Sequence, residues 1–280
     1  MKKHKKKWKL STIILMIILF GIAIIQLYPL VWMILFSLKD NSEIFYTNIA
    51  GIPKIFRWEN YSGALINGGL LKYFLNSVFY TVVTVVVSGL LSSMAAYAIA
   101  RMKWKYNNIV MSIFLLGIMV PIHAALLPLF IVLTKLNLLD SYFALLIPYI
   151  AFAMPMNILI LVSFYKSIPK DLEEAAFIDG CNIYMAFFKV IFPIVKPALA
   201  TISIFTFLGT WNELMFANTF VNSGKYRTLT VGIMSLAGQY ATDWGMIGAG
   251  MVIATLPTVL IYILLSRQVQ ESLISGAIKG

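Results

Sequence analysis

Residues 10–38 read LSTIILMIILFGIAIIQLYPLVWMILFSL, a run of 29 residues without a charged side chain. An α-helix rises about 1.5 Å per residue, so about 20 apolar residues cross the hydrocarbon core of a bilayer. The run is therefore long enough for one membrane span. Five more stretches of comparable length follow: charge-free runs at 73–100, 106–134, 141–165 and 244–266, and a run at 198–220 that only Glu213 interrupts.

The composition indicates that lipid, rather than water, is the solvent of this chain. Of its 280 residues, 60% are hydrophobic and 12% are charged, with a mean hydropathy of +0.87. Soluble proteins contain about 45–50% apolar and about 25% charged residues, so a soluble core of this size cannot hide so much apolar surface. Because helices satisfy their own backbone hydrogen bonds in lipid, the sequence predicts an all-α polytopic membrane protein with six transmembrane helices.

The lysines and arginines predict the orientation of these spans. With the amino terminus inside, fifteen of the 22 Lys and Arg residues fall in cytoplasmic segments, six of them before the first span. Cytoplasmic loops carry the excess of positive charge in membrane proteins, so we expect both termini in the cytoplasm. The net charge of +11 is thereby explained without a nucleic-acid partner. The first run lacks a cleavage site and is longer than the core of a signal peptide, which indicates an uncleaved span.

We expect a single transmembrane permease domain over residues 1–280. Several prolines lie inside the apolar runs, where neighbouring helices of a membrane bundle can satisfy the backbone groups that proline frees. The spans are predicted at about 12–36, 73–100, 108–132, 142–164, 198–220 and 244–265, with a loop at 166–197 between the fourth and the fifth.

The loop at 166–197 opens with KSIPKDLEEAAFIDG at residues 166–180, a pattern that predicts a short helix. Pro169 suits the first turn of a helix, and the acidic residues that follow place negative charge at its positive end. Alanine is the strongest helix former, and Gly180 can take the left-handed conformation that ends a helix. A small-faced helix beneath the membrane can dock in another protein's cleft, although an ordinary interfacial helix has the same pattern.

The same loop resembles the EAA loop of ABC import permeases. It has EAA at 174–176, glycine at Gly180 after three residues, and VIFP at 190–193 after nine more. Val190 and Phe192 replace the Ile and Leu of the family pattern Ile-x-Leu-Pro and keep its apolar character. Further matches to the smaller six-span permease of maltose-type and multiple-sugar importers follow in order along the chain: YPLVW at 28–32, FLNS at 74–77, AYAIAR at 96–101, GTWNE at 209–213 and SGAIKG at 275–280.

In the resembled family this loop is the coupling element that sits in a groove of the ATPase subunit. The resemblance implies a second permease in a heterodimer, two ATPase subunits and an extracytoplasmic sugar-binding protein, with sugar as the substrate. It also implies the plasma membrane of a bacterial-type cell. The tail at 275–280 either reaches the ATPase interface or ends as a solvated terminus. By the resemblance, the coupling residues of the EAA helix and its loop are Glu174, Ala175, Ala176, Asp179, Gly180 and Pro193.

Patterns for catalysis and cofactor binding are absent from the sequence. A P-loop requires Gly-x-x-x-x-Gly-Lys-Ser/Thr, whereas the only Gly-Lys pair, at Gly224, is followed by Tyr226. His4 and His123 are far apart and Cys181 is the only cysteine, so no metal-ligand spacing exists. We expect a non-catalytic chain without cofactor or metal, whose energy comes from a separate ATPase.

Four residues are candidates for lining the transport pathway: Glu213, Asn212, Trp211 and His123. A carboxylate inside a span costs about 2.5–3.5 kcal/mol to insert and usually faces a protein interior or a wet cavity. Glu213 therefore either gates or lines the pathway, or forms a structural hydrogen bond to a neighbouring helix, or lies near the outer interface. Asn212 and Trp211 have the chemistry to contact a sugar, although a tryptophan there can equally anchor the chain at the membrane interface. His123 either faces the pathway or is a buried, hydrogen-bonded histidine.

Two other functions fit a polytopic helical chain: an ion-coupled secondary transporter subunit and a non-transporting membrane scaffold. Secondary transporters carry several intramembrane ionisable groups and often internal inverted repeats. This sequence has only Glu213 and His123 of that kind, and no evident repeat. The residues favour the membrane-spanning permease subunit of an ATP-driven sugar importer, forming half of the translocation pathway.

Overall fold

The computed structural model describes residues 10–238 and 242–277, with side chains of the last helix as far as Leu264. Within that part of the chain every regular element is a helix. The basic segment 1–9 and residues 278–280 of the tail lie outside the described residues. The α-helices are α1 (Leu10–Ser37), α2 (Glu59–Ser62), α3 (Leu70–Arg101), α4 (Asn107–Met119), α5 (Leu126–Lys135), α6 (Phe143–Ser167), α7 (Asp171–Ile178), α8 (Ile183–Met185), α9 (Phe192–Ile194), α10 (Lys196–Trp211), α11 (Met215–Phe220), α12 (Leu229–Ser235) and α13 (Trp244–Ala277). Short π-helices (Glu43–Thr47, Gly63–Asn67, Ala186–Ile191) and a 3-10 helix (Ile122–Ala125) complete the list.

Four helices are long and apolar enough to cross a membrane singly: α1, α3, α6 and α13 as far as Leu264. Two further candidates are bent pairs, Asn107–Met119 with Ile122–Lys135 at 94° and Ile183–Ile194 with Lys196–Trp211 at 76°. By length and composition the described chain therefore offers four spans, or six if each bent pair is one crossing. The predicted class, an all-α polytopic membrane protein, is confirmed.

The first bent pair owes its break to a proline. Val120 is extended, with φ −74° and ψ 116°, because a helical residue would clash with the ring of the following Pro121. Proline also has no N–H to continue the helical ladder. The helix therefore stops at Met119, and the 3-10 turn Ile122–Ala125 leads into α5. The span predicted at 108–132 consists of two helices rather than one.

The stretch predicted as a span at 198–220 is also divided. Its helix, α10, ends at Trp211, and Met215–Phe220 forms the separate helix α11. Residues 212–214 between the two are not helical. The side chain of Glu213 lies at this break, and its bonds account for the start of α11, as described below.

The chain forms two compact units. Residues up to Gly69, together with Ile233–Ile253, form the first unit. Leu70–Gly232, together with the residues from Ala254 onward, form the second unit. A single permease domain over residues 1–280 stays a prediction.

Polar side chains hold the segment that follows α1 in the first unit. Lys39 is buried, and its ammonium donates to the carbonyl of Asn48. The Asn60 amide donates to the carbonyls of Ser37 and Lys39 at 2.9 Å each. A Cβ at Gly245 would overlap the Asn60 side chain, so this close approach requires glycine.

In the second unit, α3 packs along α6 through small residues. Ser92 and Ser93 of α3 are fully buried, and small side chains let two membrane helices approach closely. The hydroxyls of Ser93 and Tyr165 share a hydrogen bond, and Asn157 of α6 donates to the Thr206 hydroxyl of α10 at 3.1 Å. The three helices α3, α6 and α10 are thereby joined by packing and by interhelical hydrogen bonds.

Two apolar clusters complete the second unit. The first joins the ends of α3 and α6 to loop 166–197 through Tyr97, Tyr165, Phe187 and Ile191. The second joins α3, α6 and α11 through Tyr80, Tyr149, Phe216 and Phe220. Loop 166–197 is therefore packed onto the ends of two span-length helices.

Candidate functional site

Loop 166–197 contains the short helix that its sequence predicts. α7 has eight residues and carries three acidic side chains in its first turn, where negative charge is favourable. Gly180 has a φ of +83°, the left-handed conformation predicted for it. The amides of Gly180 and Cys181 donate to the carbonyls of Phe177 and Ala176 at 3.0 and 2.9 Å. These two bonds form the Schellman motif that satisfies the last carbonyls of a helix.

One side of α7 is open to the surroundings, and we name it the α7 face. It has two large apolar side chains, Phe177 and Ile178, and Ile178 is 86% exposed. A Cβ added at Gly180 would meet no atom within 4 Å, so the space beside the end of the helix is free. The remaining members of the α7 face are four exposed residues that the sequence predicts for coupling: Glu174, Ala175, Asp179 and Gly180.

The other two predicted coupling residues have different surroundings. Ala176 is buried. The helix α7 packs against the π-helix Ala186–Ile191. Pro193 is exposed in α9, away from the helix itself in sequence. The two alanines of the EAA pattern therefore differ: Ala175 is exposed, and Ala176 is buried.

A buried ion pair ties the first turn of α7 to the end of α3. The Nη2 and Nε atoms of Arg101 lie 2.7 and 2.9 Å from Oε2 of Glu173. The side chains of Arg101 and Glu173 are only 4% and 10% exposed. Arg101 Nη1 also donates to the carbonyl of Ile168 at 2.8 Å. One guanidinium thus joins the ends of α3, α6 and α7.

Sequence reasoning missed this pair. It treated Arg101 as one of the charges that set membrane orientation, and Glu173 as one of three acids near a helix N-terminus. The available signal is the position of Arg101, directly after a charge-free run, combined with an acidic residue one position before the EAA triplet. Neither pattern specifies a pairing partner 72 residues away.

Glu213 forms hydrogen bonds that explain the division between α10 and α11. Its Oε1 accepts from the amide of Phe216 at 2.7 Å, and its Oε2 accepts from the amide of Ala217 at 3.0 Å. The hydroxyl of Tyr149, on α6, donates to Oε2 at 2.7 Å. The carboxylate therefore caps the free amides of α11 and joins this helix to α6.

Glu213 also lines a cavity of about 190 Å³. Its wall is mostly apolar and includes several aromatic rings, which can stack on the faces of sugar rings. Its lining includes Tyr149, Phe152, Asn157, Phe205, Thr206, Thr210, Glu213 and Phe216.

The other three predicted pathway residues have separate surroundings. Trp211 is buried, donates to the carbonyl of Ala254 at 2.9 Å and lines a different, apolar cavity of about 330 Å³. Asn212 is exposed and donates to the carbonyl of Leu208 at 2.9 Å, at the end of α10. His123 is exposed in the 3-10 turn, so the described residues of this chain do not bury it. The structure does not bring the four residues together in one cavity.

The segment 221–229 is held by side chains of the second unit that sequence reasoning did not assign to it. Asn76 donates to the carbonyls of Lys225 and Arg227 at 2.9 Å each. The Ser77 hydroxyl accepts from the amide of Leu229 at 2.8 Å. These bonds account for the polar part of FLNS at 74–77: it fastens a later loop to α3. We name Asn76 and Ser77, with the backbone they bond, the α3 clamp.

The fold and loop 166–197 define a class, the polytopic helical permeases of membrane importers. The model of one family, the binding-protein-dependent transport system inner membrane components, matches residues 88–271. The chain belongs to this family. It is therefore a permease subunit of an ABC importer in the plasma membrane, and ATP hydrolysis lies in a separate subunit. Membership excludes the ion-coupled transporter and the scaffold as alternatives.

Curated relatives cover almost the whole chain. It is 34% identical to the probable ABC transporter permease protein YurM of Bacillus subtilis (strain 168), over 99% of this chain and 92% of YurM. It is 35% identical to the sulfoquinovosyl glycerol transport system permease protein SmoH of Agrobacterium fabrum, over 91% and 89%. It is 33% identical to the trehalose transport system permease protein SugB of Mycobacterium tuberculosis, over 91% and 93%.

A solved structure shares the fold. It is a chain of a bacterial ABC transporter involved in the import of the acidic polysaccharide alginate, and it matches 94% of this chain and 99% of its own length. The TM-score is 0.81 at 24% identity, so the likeness concerns the fold alone. Family members work with a second permease, an ATPase and a substrate-binding protein.

Proposed function

We propose that this chain pairs with a second, different permease to form a sugar-import pathway, and that α7 docks in a cleft of the ATPase. The α7 face carries this proposal. Exposed Phe177 and Ile178, beside small residues and open space at Gly180, form a protruding apolar surface of the kind that fits a groove. Exposed apolar patches mark contacts with proteins or membranes, and the position of α7 within the EAA-like loop favours a protein contact.

Docking requires α7 on the cytoplasmic side, where ATP is hydrolysed. The distribution of Lys and Arg supports this side for loop 166–197, and six crossings would then place both termini in the cytoplasm. Two ATPase subunits, one below each permease, complete the proposed assembly. An extracytoplasmic binding protein delivers the substrate to the opposite side.

The sugar class of the substrate is supported by the relatives and by the cavity beside Glu213. The relatives include permeases named for sulfoquinovosyl glycerol, for trehalose and for diacetylchitobiose. The cavity offers the rings of Phe152 and Phe205, which suit the faces of sugar rings. We therefore assign Glu213 to the pathway wall, together with these two rings. The pathway roles of Trp211, Asn212 and His123 stay predictions.

The docking proposal is tested by adding bulk to the α7 face. In Ala175→Trp the new ring would fill the proposed contact without changing the left-handed residue Gly180. We expect the ATPase that co-purifies with the tagged permease to fall about tenfold, as for a hot-spot position of an interface. Ala50→Trp is the matched control, because Ala50 is also exposed but lies in the first unit. Equal amounts of ATPase with both variants would refute docking through α7.

The orientation is tested with the natural cysteine. Cys181 is the only cysteine of the chain and lies three residues after the end of α7. A membrane-impermeant maleimide should label it in inside-out vesicles and not in right-side-out vesicles. Ala50→Cys in a Cys181→Ser background should show the reverse, since the loop before α3 is expected outside. Labelling of Cys181 in right-side-out vesicles would contradict the proposed function.

A further inference from the structure

The Arg101 guanidinium makes more contacts than an ordinary ion pair. Its Nη2 and Nε atoms both bond Glu173, its Nη1 bonds the carbonyl of Ile168, and its Nη2 lies 3.3 Å from the carbonyl of Pro169. We name Arg101, Glu173 and these two carbonyls the Arg101 latch. Because the guanidinium has donors in a rigid planar fork, it can serve several acceptors at once, which a lysine ammonium cannot do in this geometry.

The latch lies where three helix ends meet. Arg101 is the last residue of α3, so its positive charge is at the negative end of that helix. Glu173 is in the first turn of α7, so its negative charge is at the positive end. Ile168 and Pro169 form the short link from α6 to α7. Both charges are therefore favoured by their own helices as well as by each other.

α7 has few other attachments. It is eight residues long, and a helix of that length needs tertiary contacts to be stable. Only Glu173 and Ala176 of α7 are buried. α7 also packs against Ala186–Ile191, which belongs to the same loop. Of the two buried attachments, the one through Glu173 leads to α3.

We propose that Arg101 is a positioning residue for transport: it fixes α7 rigidly to the ends of α3 and α6, so that movement of α7 is transmitted to both helices. This inference rests on the proposed docking of α7. The close packing of α3 along α6 means that the two helices can respond together. Without the latch, α7 would still present its face, but it could tilt without moving α3.

The test compares coupling with assembly in the complete importer. The permease, its native partner permease, its ATPase and its binding protein are reconstituted in liposomes, and sugar import per ATP hydrolysed is measured. Arg101→Lys keeps the charge and loses the fork. We expect import per ATP to fall about tenfold in this variant, a typical size for a coupling residue. Lys103→Gln, at an exposed position two residues further along, is the matched control and should match the wild type.

A second variant separates coupling from general stability. Glu173→Gln keeps the side-chain shape and removes the charge, and its import per ATP should also fall. In the double variant Arg101→Lys/Glu173→Gln the ratio should equal that of the worse single variant, because both changes break the same link. Ratios that multiply in the double variant would indicate two independent structural effects and would overturn the latch.

The remaining outcomes are also decisive. If the importer with Arg101→Lys does not assemble, sugar import per ATP in Glu173→Gln decides the question. A wild-type value of import per ATP in Glu173→Gln would overturn the inference. If both single variants couple normally while Ala175→Trp releases the ATPase, the latch fails and the proposed docking stands. If the wild-type chain does not bind the ATPase through the α7 face, the proposed function itself fails.

Discussion

Arginine–carboxylate pairs fasten segments in both compact units, and the Arg57–Asp40 pair of the first unit contrasts with the Arg101–Glu173 pair of the second. In the first unit Arg57 and Asp40 are 3.0 Å apart, with side chains 37% and 35% exposed. In the second unit Arg101 and Glu173 are 2.7 Å apart and almost fully buried. Water can replace a lost partner in the exposed pair, whereas loss of one partner in the buried pair leaves a desolvated charge. The same chemistry therefore has a local role in the first unit and a structural role in the second.

Other polar side chains of the second unit are satisfied without an ion pair. Within the part of the chain that the structure describes, the Glu213 carboxylate is satisfied by two backbone amides and the Tyr149 hydroxyl rather than by an arginine. The α3 clamp is neutral throughout and bonds only backbone. These three ties, the latch, Glu213 and the clamp, lie in the second unit and connect helices to loops. Their expected contributions to stability decrease in that order, because the latch joins two charges, Glu213 has one charge and the clamp has none.

The largest effect is expected for Arg101→Met. The variant leaves Glu173 buried without its partner, and such a change destabilises a protein by about 3–5 kcal/mol. Thermal or urea unfolding of the purified permease in detergent measures it. Lys103→Met is the control, and Arg101→Met/Glu173→Met should recover most of the loss because it removes both charges. Stability of Arg101→Met equal to that of the control would show that the pair is not buried.

A smaller effect is expected for Glu213→Ala. The amides of Phe216 and Ala217 and the hydroxyl of Tyr149 would lose their acceptor, at a cost of about 1–3 kcal/mol. Glu213→Gln keeps an acceptor oxygen and should lose less stability. Import by the reconstituted transporter then separates the two roles considered for Glu213. If the role of Glu213 is structural, the Glu213→Gln variant should retain most of its sugar import. If Glu213 is a gate, the variant should lose sugar import.

The fold class could be predicted from sequence because it depends on one dominant property, the length of charge-free runs. The helix bounds could not. Pro121 interrupts a run that hydropathy treats as continuous, and Glu213 ends another through bonds to amides that follow it. Both breaks depend on local backbone and side-chain geometry, to which a hydropathy window is insensitive.

The candidate site was predictable in part, for a related reason. Gly180 could be identified as the end of α7 because the left-handed conformation nearly specifies glycine. The exposure of Ala175 and the burial of Ala176 could not, because the sequence does not state which side of α7 packs on its loop. The partners of Arg101 and Asn76 lie 72 and about 150 residues away, so only the folded chain reveals them.

The neutral clamp should yield a still smaller effect. Asn76→Ala removes the donors to the carbonyls of Lys225 and Arg227, worth about 1–2 kcal/mol in total. The segment 221–229 should then open more often, and trypsin should cleave after Lys225 and Arg227 several-fold faster in intact, oriented membranes. Asn218→Ala is a suitable control, because Asn218 is exposed and its side chain is not part of the clamp. Equal cleavage rates in both variants would mean that the clamp does not hold this segment.

The smallest effect on stability is expected for the exposed Arg57–Asp40 pair, and this effect depends on pH. The pKa of Asp40 is lowered from 3.8 to about 2, because the Glu43 amide, the Ser42 hydroxyl and Arg57 all favour its ionised form. A depressed pKa means that the ionised carboxylate contributes stability above about pH 4 and that this contribution is lost as the pH falls toward 2. Hydrogen exchange of the Glu43 amide, corrected for its intrinsic rate, should be constant from pH 7 to 4 and faster below.

Asp40→Asn should remove this dependence and leave global unfolding almost unchanged, since the pair is solvated. A loss of stability as large as that of Arg101→Met would mean that exposure does not govern the strength of these pairs, and the contrast between the two units would not hold.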